Sequence, residues 1–149
     1  MKELNNFREK WGEKTSDYGW VAIPSILFFY QKELDINPTE MNVLTNLLLH
    51  WWESDKKPYP AQSSIARRMG VSTRTVQRAL DSLDEKKIIT KNRTSIHSPV
   101  YKGRNIYDLA PLVKILNSIS SQEPNLKSYI AKKPSTEEKV DLIKTSEQE

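Results

Sequence analysis
Apolar positions along this chain recur mainly at helical spacing. Leu4, Phe7 and Trp11 stand three and four residues apart with charges between them, which predicts an amphipathic helix ended by Gly12. That helix either caps the core or acts as a dimerisation arm. "YGWVAIPSILFFYQKELDI" predicts an extended lead-in over residues 20–23 and then a helix opened by Pro24, because proline's missing N–H needs no partner in a first turn. Ile26, Leu27, Phe29, Tyr30 and Leu34 give it a broad apolar face. "NPTEMNVLTNLLLHWWES" carries the clearest start signal: Asn37 caps, Pro38 takes the first position and Glu40 follows three residues after the cap, a capping box with Asn in place of Ser or Thr. Met41, Val43, Leu44, Leu47, Leu48 and Trp51 supply the buried stripe of that helix. His50 flanks the stripe as a packed or surface histidine. Trp51 and Trp52 either join the core and cover the helix end or offer a stacking platform for bases.

Beyond the turn-rich "SDKKPYP", two short helical patterns meet across one glycine: residues 62–69, the turn 70–72, and a second helix from Thr73 to about Lys86. Ile65, Ala66, Met69, Val71, Val76 and Ala79 are its apolar or small positions. Ala66 is small where the helices would cross. Gly70 can adopt the left-handed conformation of a sharp turn. Val71 is expected to plug the angle, and Ser72 to cap the second helix. Val76, Ala79, Leu80 and Leu83 turn that helix into the core, the pattern of a helix-turn-helix.

Once the inward face is assigned, Thr73, Arg74, Gln77 and Arg78 are left facing outward near the start of the second helix. Such positions enter the major groove in helix-turn-helix proteins. Arginine can donate twice to guanine O6 and N7, and glutamine can pair with adenine N6 and N7. Ser72 and Thr75 at the helix start, with Ser63, Arg67 and Arg68 on the preceding helix, are the candidates for the DNA backbone. The plain alternative is a solvated face of ordinary helix charges.

"IIT" reads as a strand, "KNRTSIHSPVYKGR" as a loop and "NIYDL" as a second strand, so the motif is followed by a ribbon or wing. Lys91, Arg93, Lys102 and Arg104 would bring it to phosphates or a minor groove, with Gly103 at a bend. "APLVKILNSIS" predicts a helix opened by Pro111, with Leu112, Ile115, Leu116 and Ile119 on one face. From Ser120 onward Pro, Ser, Lys and Glu dominate, the composition of a flexible tail, with Val140, Leu142 and Ile143 as a short binding segment. The expected organisation is a helical arm over residues 1–19, a DNA-binding domain over 20–119 and a tail over 120–149. The fold class is mainly α with a small β-ribbon.

Composition sharpens this picture in one place. The net charge is +4 and the pI about 9.2, a mild basic balance. Between Gln62 and Arg104, however, ten Lys/Arg stand against three Asp/Glu, so the positive charge is concentrated on the motif. There are no cysteines, which excludes disulfides, a thiol nucleophile and Cys-based zinc sites. The two histidines are far apart and lack metal-ligand spacing. No secretory leader or membrane span is read, so the expectation is a soluble cytoplasmic protein. With four glycines and scattered acids, neither a nucleotide loop nor a metal-binding carboxylate cluster is found. No cofactor and no enzyme activity are expected.

"ARRMGVSTRTVQRALDSLDEKKIIT" followed by "NIYDLAPLVKIL" resembles the winged-helix domains of bacterial, phage and plasmid helix-turn-helix proteins, which include replication initiators, replisome organisers and transcription regulators. The resemblance covers about Trp20 to Leu116 and implies sequence-specific duplex binding through Thr73, Arg74, Gln77 and Arg78. Two positions depart from it. Ala61 follows Pro60 where such domains often have a serine cap, and Lys87 stands where they often have glycine before the wing strand. The leading expectation is a transcription regulator on double-stranded DNA, possible as a homodimer. The alternatives are a replication initiator or replisome organiser whose tail recruits a replication protein, and a protein-interaction module.

Overall fold
The computed structural model describes residues 2–123. The chain divides into two units after residue 116. The second is described only as far as residue 123. Val140, Leu142 and Ile143 therefore lie outside the described residues.

The element order is α1 (Lys2–Trp11), α2 (Glu13–Ser16), α3 (Ser25–Phe29), α4 (Pro38–Leu49), α5 (Gln62–Met69), α6 (Thr73–Glu85), β1 (Thr90–Asn92), β2 (Ile106–Asp108) and α7 (Ala110–Gln122). This is a mainly helical fold with one small antiparallel ribbon, and its helix-turn-helix precedes the ribbon as in a winged helix. The core gathers Leu27, Ile36, the α4 stripe, Ile65, Ala66, the inner face of α6, Ile88, Ile89, Tyr107, Leu109, Leu112 and Leu116.

Helix α4 begins as its sequence dictates. The Glu40 N–H donates to Asn37 Oδ1 at 2.8 Å, and the Asn37 N–H donates back to Glu40 Oε1 at 3.1 Å. At its other end Trp51 packs partly against the core, while the Trp52 indole N–H donates to the Leu49 carbonyl at 2.8 Å and lies over the helix end. None of the α1 residues is buried; Phe7 instead meets Trp20 with ring centroids 5.1 Å apart.

Four local expectations are corrected. The helix expected from Pro24 to Leu34 stops at Phe29; Pro24 is its cap, and turns carry the chain to Asp35, which has φ 56°. Apolar residues fill every position from Ile26 to Tyr30, so periodicity could not choose a face there. Phe29, expected inside, is 48% exposed. Val71 does not plug the helix angle but is itself exposed; its N–H closes α5 by donating to the Ala66 carbonyl at 3.0 Å. The first strand is Thr90–Asn92 rather than residues 88–90. Ile88 and Ile89 are adjacent and both buried, which a strand with alternating faces does not allow.

The shift follows from how α6 ends. The Ile88 N–H reaches the Leu83 carbonyl at 3.0 Å and the Lys87 N–H reaches Asp84 at 3.0 Å, a Schellman closure with Lys87 left-handed at φ 57°. Helix α5 closes the same way, but there the left-handed position is Gly70 at φ 70°. A Cβ in this region crowds the next carbonyl at a cost of about 1–2 kcal/mol, offset in part by glycine's greater unfolded-state freedom. Lys87→Gly is therefore expected to raise the urea midpoint, by about 0.5–1 kcal/mol of stability. An unchanged or lower midpoint would show that the lysine side chain compensates for its backbone.

Candidate nucleic-acid interface
The interface is built on the α5–α6 pair. Ile65 and Ala66 bury one face of α5, and Val76, Ala79, Leu80 and Leu83 bury one face of α6. That packing fixes the orientation of what remains. Thr73, Arg74, Gln77 and Arg78 all stand exposed over the first turns of α6, and Ser63, Arg67 and Arg68 stand exposed on α5. Among the described residues neither Arg74 nor Arg78 has an ion-pair partner. Ser72 caps α6 by accepting the Thr75 N–H at 3.1 Å, and the two hydroxyls lie 3.0 Å apart. Helix start, dipole and cap thus place a positive end beside the exposed arginines.

On α5 no side chain caps the helix start, and Ser63 lies inside the helix. Ala61 holds the cap position and offers no side-chain acceptor. Arg68 is oriented by a residue the sequence did not link to it. Its Nη2 lies 3.1 Å from His50 Nε2, at the end of α4. Burial, and then the Arg68 charge, hold the His50 imidazole below its usual range. An unprotonated imidazole nitrogen can accept the guanidinium donor, so Arg68 is positioned without an acidic partner to offset its charge. No periodic signal connects residues 18 apart, and His50 was legible only as a packed or surface histidine.

The wing residues divide. Lys91 is drawn onto α6, where its ammonium pairs with Asp81 and its backbone N–H donates to Asp84 Oδ1 at 3.0 Å. In the register Lys91 faces Tyr107, a fully buried residue. Arg93, Lys102 and Arg104 remain exposed. The wing between the strands closes on itself: Gly103 N–H donates to the Ser95 carbonyl at 2.9 Å and Thr94 Oγ1 to the Arg104 carbonyl at 2.5 Å. Gly103 is left-handed at φ 80°, and a Cβ there would stand 3.0 Å from Ile96 Cγ2, so conformation and close contact both favour glycine.

Among the described residues no helix is long and apolar enough to cross a membrane, and no group of three or more metal-ligating side chains is assembled.

Comparison with solved structures gives the fold a counterpart. The N-terminal domain of DnaD protein from Geobacillus kaustophilus HTA426 is 19% identical, with a TM-score of 0.51, covering 86% of this chain and 97% of that one. A possible transcriptional regulator from Methanosarcina mazei Go1 is 15% identical with a TM-score of 0.42, covering 76% of this chain and 98% of that one. No curated protein matches the sequence. The profile of the DnaD N-terminal domain matches residues 23–127, from the lead-in to α3 past the end of α7, and the chain belongs to the DnaD N-terminal domain family.

Proposed function
We propose that this chain is a duplex-DNA-binding module of a replication organiser, gripping DNA with α6 in the major groove and with α5 and the wing on the backbone. One observation carries the reading: Thr73, Arg74, Gln77 and Arg78 share an exposed face of α6, opposite a fully buried one, with both guanidinium groups unpaired among the described residues. Exposed and unpaired donors of these types suit base edges. Of the two DNA-binding roles left open by the sequence, membership of the DnaD N-terminal domain family favours replication over the transcription regulator that was the leading expectation.

Arg67 and Arg68 would hold phosphates from α5, with Ser63, Ser72 and Thr75 as polar contacts. Lys102, Arg93 and Arg104 would do so from the wing, whereas Lys91 would first have to leave Asp81. Homodimer formation and a recruiting role for residues 120–149 belong to the same proposal.

Site selection from a random duplex pool, with the full chain at near-physiological salt, tests the reading. Enriched tandem repeats would support origin-type binding. An enriched palindrome would return the balance to a regulator. No enrichment, with binding that vanishes as salt rises, would remove base reading altogether. Lys102→Ala separately tests the wing: one phosphate contact fewer should reduce the slope of log K against log salt by about 0.9. An unchanged slope takes Lys102 off the DNA.

A further inference from the structure
A cleft of about 510 Å³ opens beside the α5–α6 face and is used by none of the contacts above except Arg68 and Arg104. Its wall brings together the end of α4, the connection to α5, the start of α5 and the base of the wing. Four cations (Lys56, Lys57, Arg68 and Arg104) face one carboxylate, Glu53. Lys56 pairs with Glu53 at 2.8 Å and Lys57 with Asp108 at 3.7 Å, the first pair exposed and the second partly so, where such pairs hold weakly. Arg68 is held by a hydrogen bond to His50 at 3.1 Å and by no carboxylate among the described residues, so its charge is not offset by an ion pair.

The same wall carries aromatic rings. Trp52 is 85% exposed, yet its N–H is fixed on the Leu49 carbonyl, and its ring centroid lies 6.5 Å from that of His50. Tyr59 is braced edge-on by Tyr101 at 5.0 Å. The connection that carries it is tied to the ribbon by the Tyr107 N–H, which donates to the Pro58 carbonyl at 3.0 Å. Ala61 and Ser64 bring the uncapped start of α5 to the lining, a further preference for an anion.

We propose that this cleft takes an unpaired base and its flanking phosphates from single-stranded DNA, as a second nucleic-acid contact beside the duplex-facing helix. Its volume lies in the range of small-ligand pockets and is too small for a duplex. In a duplex the base faces are hidden by their neighbours, so an aromatic platform among cations is useful only to an unstacked base. The assignment needs the cleft alone; it stands whether or not α6 reads sequence. With both contacts in place, the chain would favour junctions between duplex and single strand.

The test is a tryptophan-fluorescence titration of the full chain with the oligonucleotide dT12, with rU12 and with dTMP as comparisons. Binding of dT12 is expected to quench emission. Trp52→Ala should weaken it by about 5- to 150-fold, the effect of removing one stacking partner, while Trp52→Phe keeps most of the affinity. Trp52 is exposed, so the variant should fold, and its circular dichroism should match the parent. Arg74→Ala should leave dT12 binding unchanged. A Trp52→Ala affinity within about twofold of the parent would overturn the proposal. So would an equal loss in Arg74→Ala, which would put the strand on α6. Binding of dTMP as tight as dT12 would make this a mononucleotide pocket, and tighter rU12 would make it an RNA contact. Loss of duplex site selection with dT12 binding retained would sink the duplex reading and leave this one intact.

Discussion

Arg74→Ala and Arg78→Ala are each expected to weaken binding to the selected duplex by about 1–3 kcal/mol, with one base preference blurred in each case. The expectation rests on where α6 is anchored. Val76, Ala79, Leu80 and Leu83 are all buried, so the helix cannot rotate without exposing its core face. Positions 73, 74, 77 and 78 are then held outward as a group. An arginine truncated to alanine leaves this anchoring untouched, so thermal stability should not change. What is lost is a bidentate donor, and the guanine it faced becomes equivalent to other bases. The readout is therefore the position-specific pattern, not affinity alone. If either variant weakens binding equally on every duplex sequence, that arginine holds phosphate and does not read a base.

The same anchoring explains which parts were legible in the sequence. The start of α4 and the helix-turn-helix were readable because their signals are local: Asn37 with Glu40 at the first, Ser72 with Thr75 and Gly70 at a left-handed corner in the second, all acting within four residues. The wing strand was misplaced because Lys87 takes a left-handed conformation that its side chain does not advertise, which moves Ile88 and Ile89 from the ribbon into the core. The α3 helix was overextended because a run of apolar residues has no period. The pairing of Arg68 with His50 and that of Lys91 with Asp81 join separate elements, and local patterning carries no record of either. Glu40 is the instructive case. It was read as a capping residue, which it is, but it also lies on the same helical stripe as Val43, Leu44 and Leu47. An acid on a buried stripe needs a distant cation, and that inference was available from spacing.

Lys86→Met is expected to cost about 3 kcal/mol of stability and to flatten the acid side of the stability profile. Lys86 Nζ donates to both Glu40 oxygens at 2.9 and 3.0 Å and to the Asp35 carbonyl at 2.5 Å, fastening the end of α6 to the start of α4. Glu40 is 1% exposed, whereas the lysine side chain is 26% exposed. The two partners are therefore not equivalent. Without Lys86 a carboxylate is left buried; without the Glu40 charge the ammonium can still turn to water. Breaking a buried pair from the side that strands the charge costs about 3–5 kcal/mol, and the partial exposure of Lys86 favours the lower end. Glu40→Gln should cost less.

Burial works to raise the Glu40 pKa, but hydrogen bonds from Lys86, Ser82 and Asn37 together with the Lys86 charge outweigh it and hold the carboxyl below 4.5. A lowered folded value means the unfolded chain binds more protons in this window. The Glu40 contribution is thus complete above about pH 4.5 and is lost as pH falls through the depressed value. In Lys86→Met burial is opposed only by Ser82 and Asn37, so the depression shrinks and less stability remains to be lost in acid. Urea unfolding from pH 3 to 7 measures both effects. An undiminished acid limb in Lys86→Met, or a cost below about 1 kcal/mol, would mean that the pair fixes geometry without stabilising the fold.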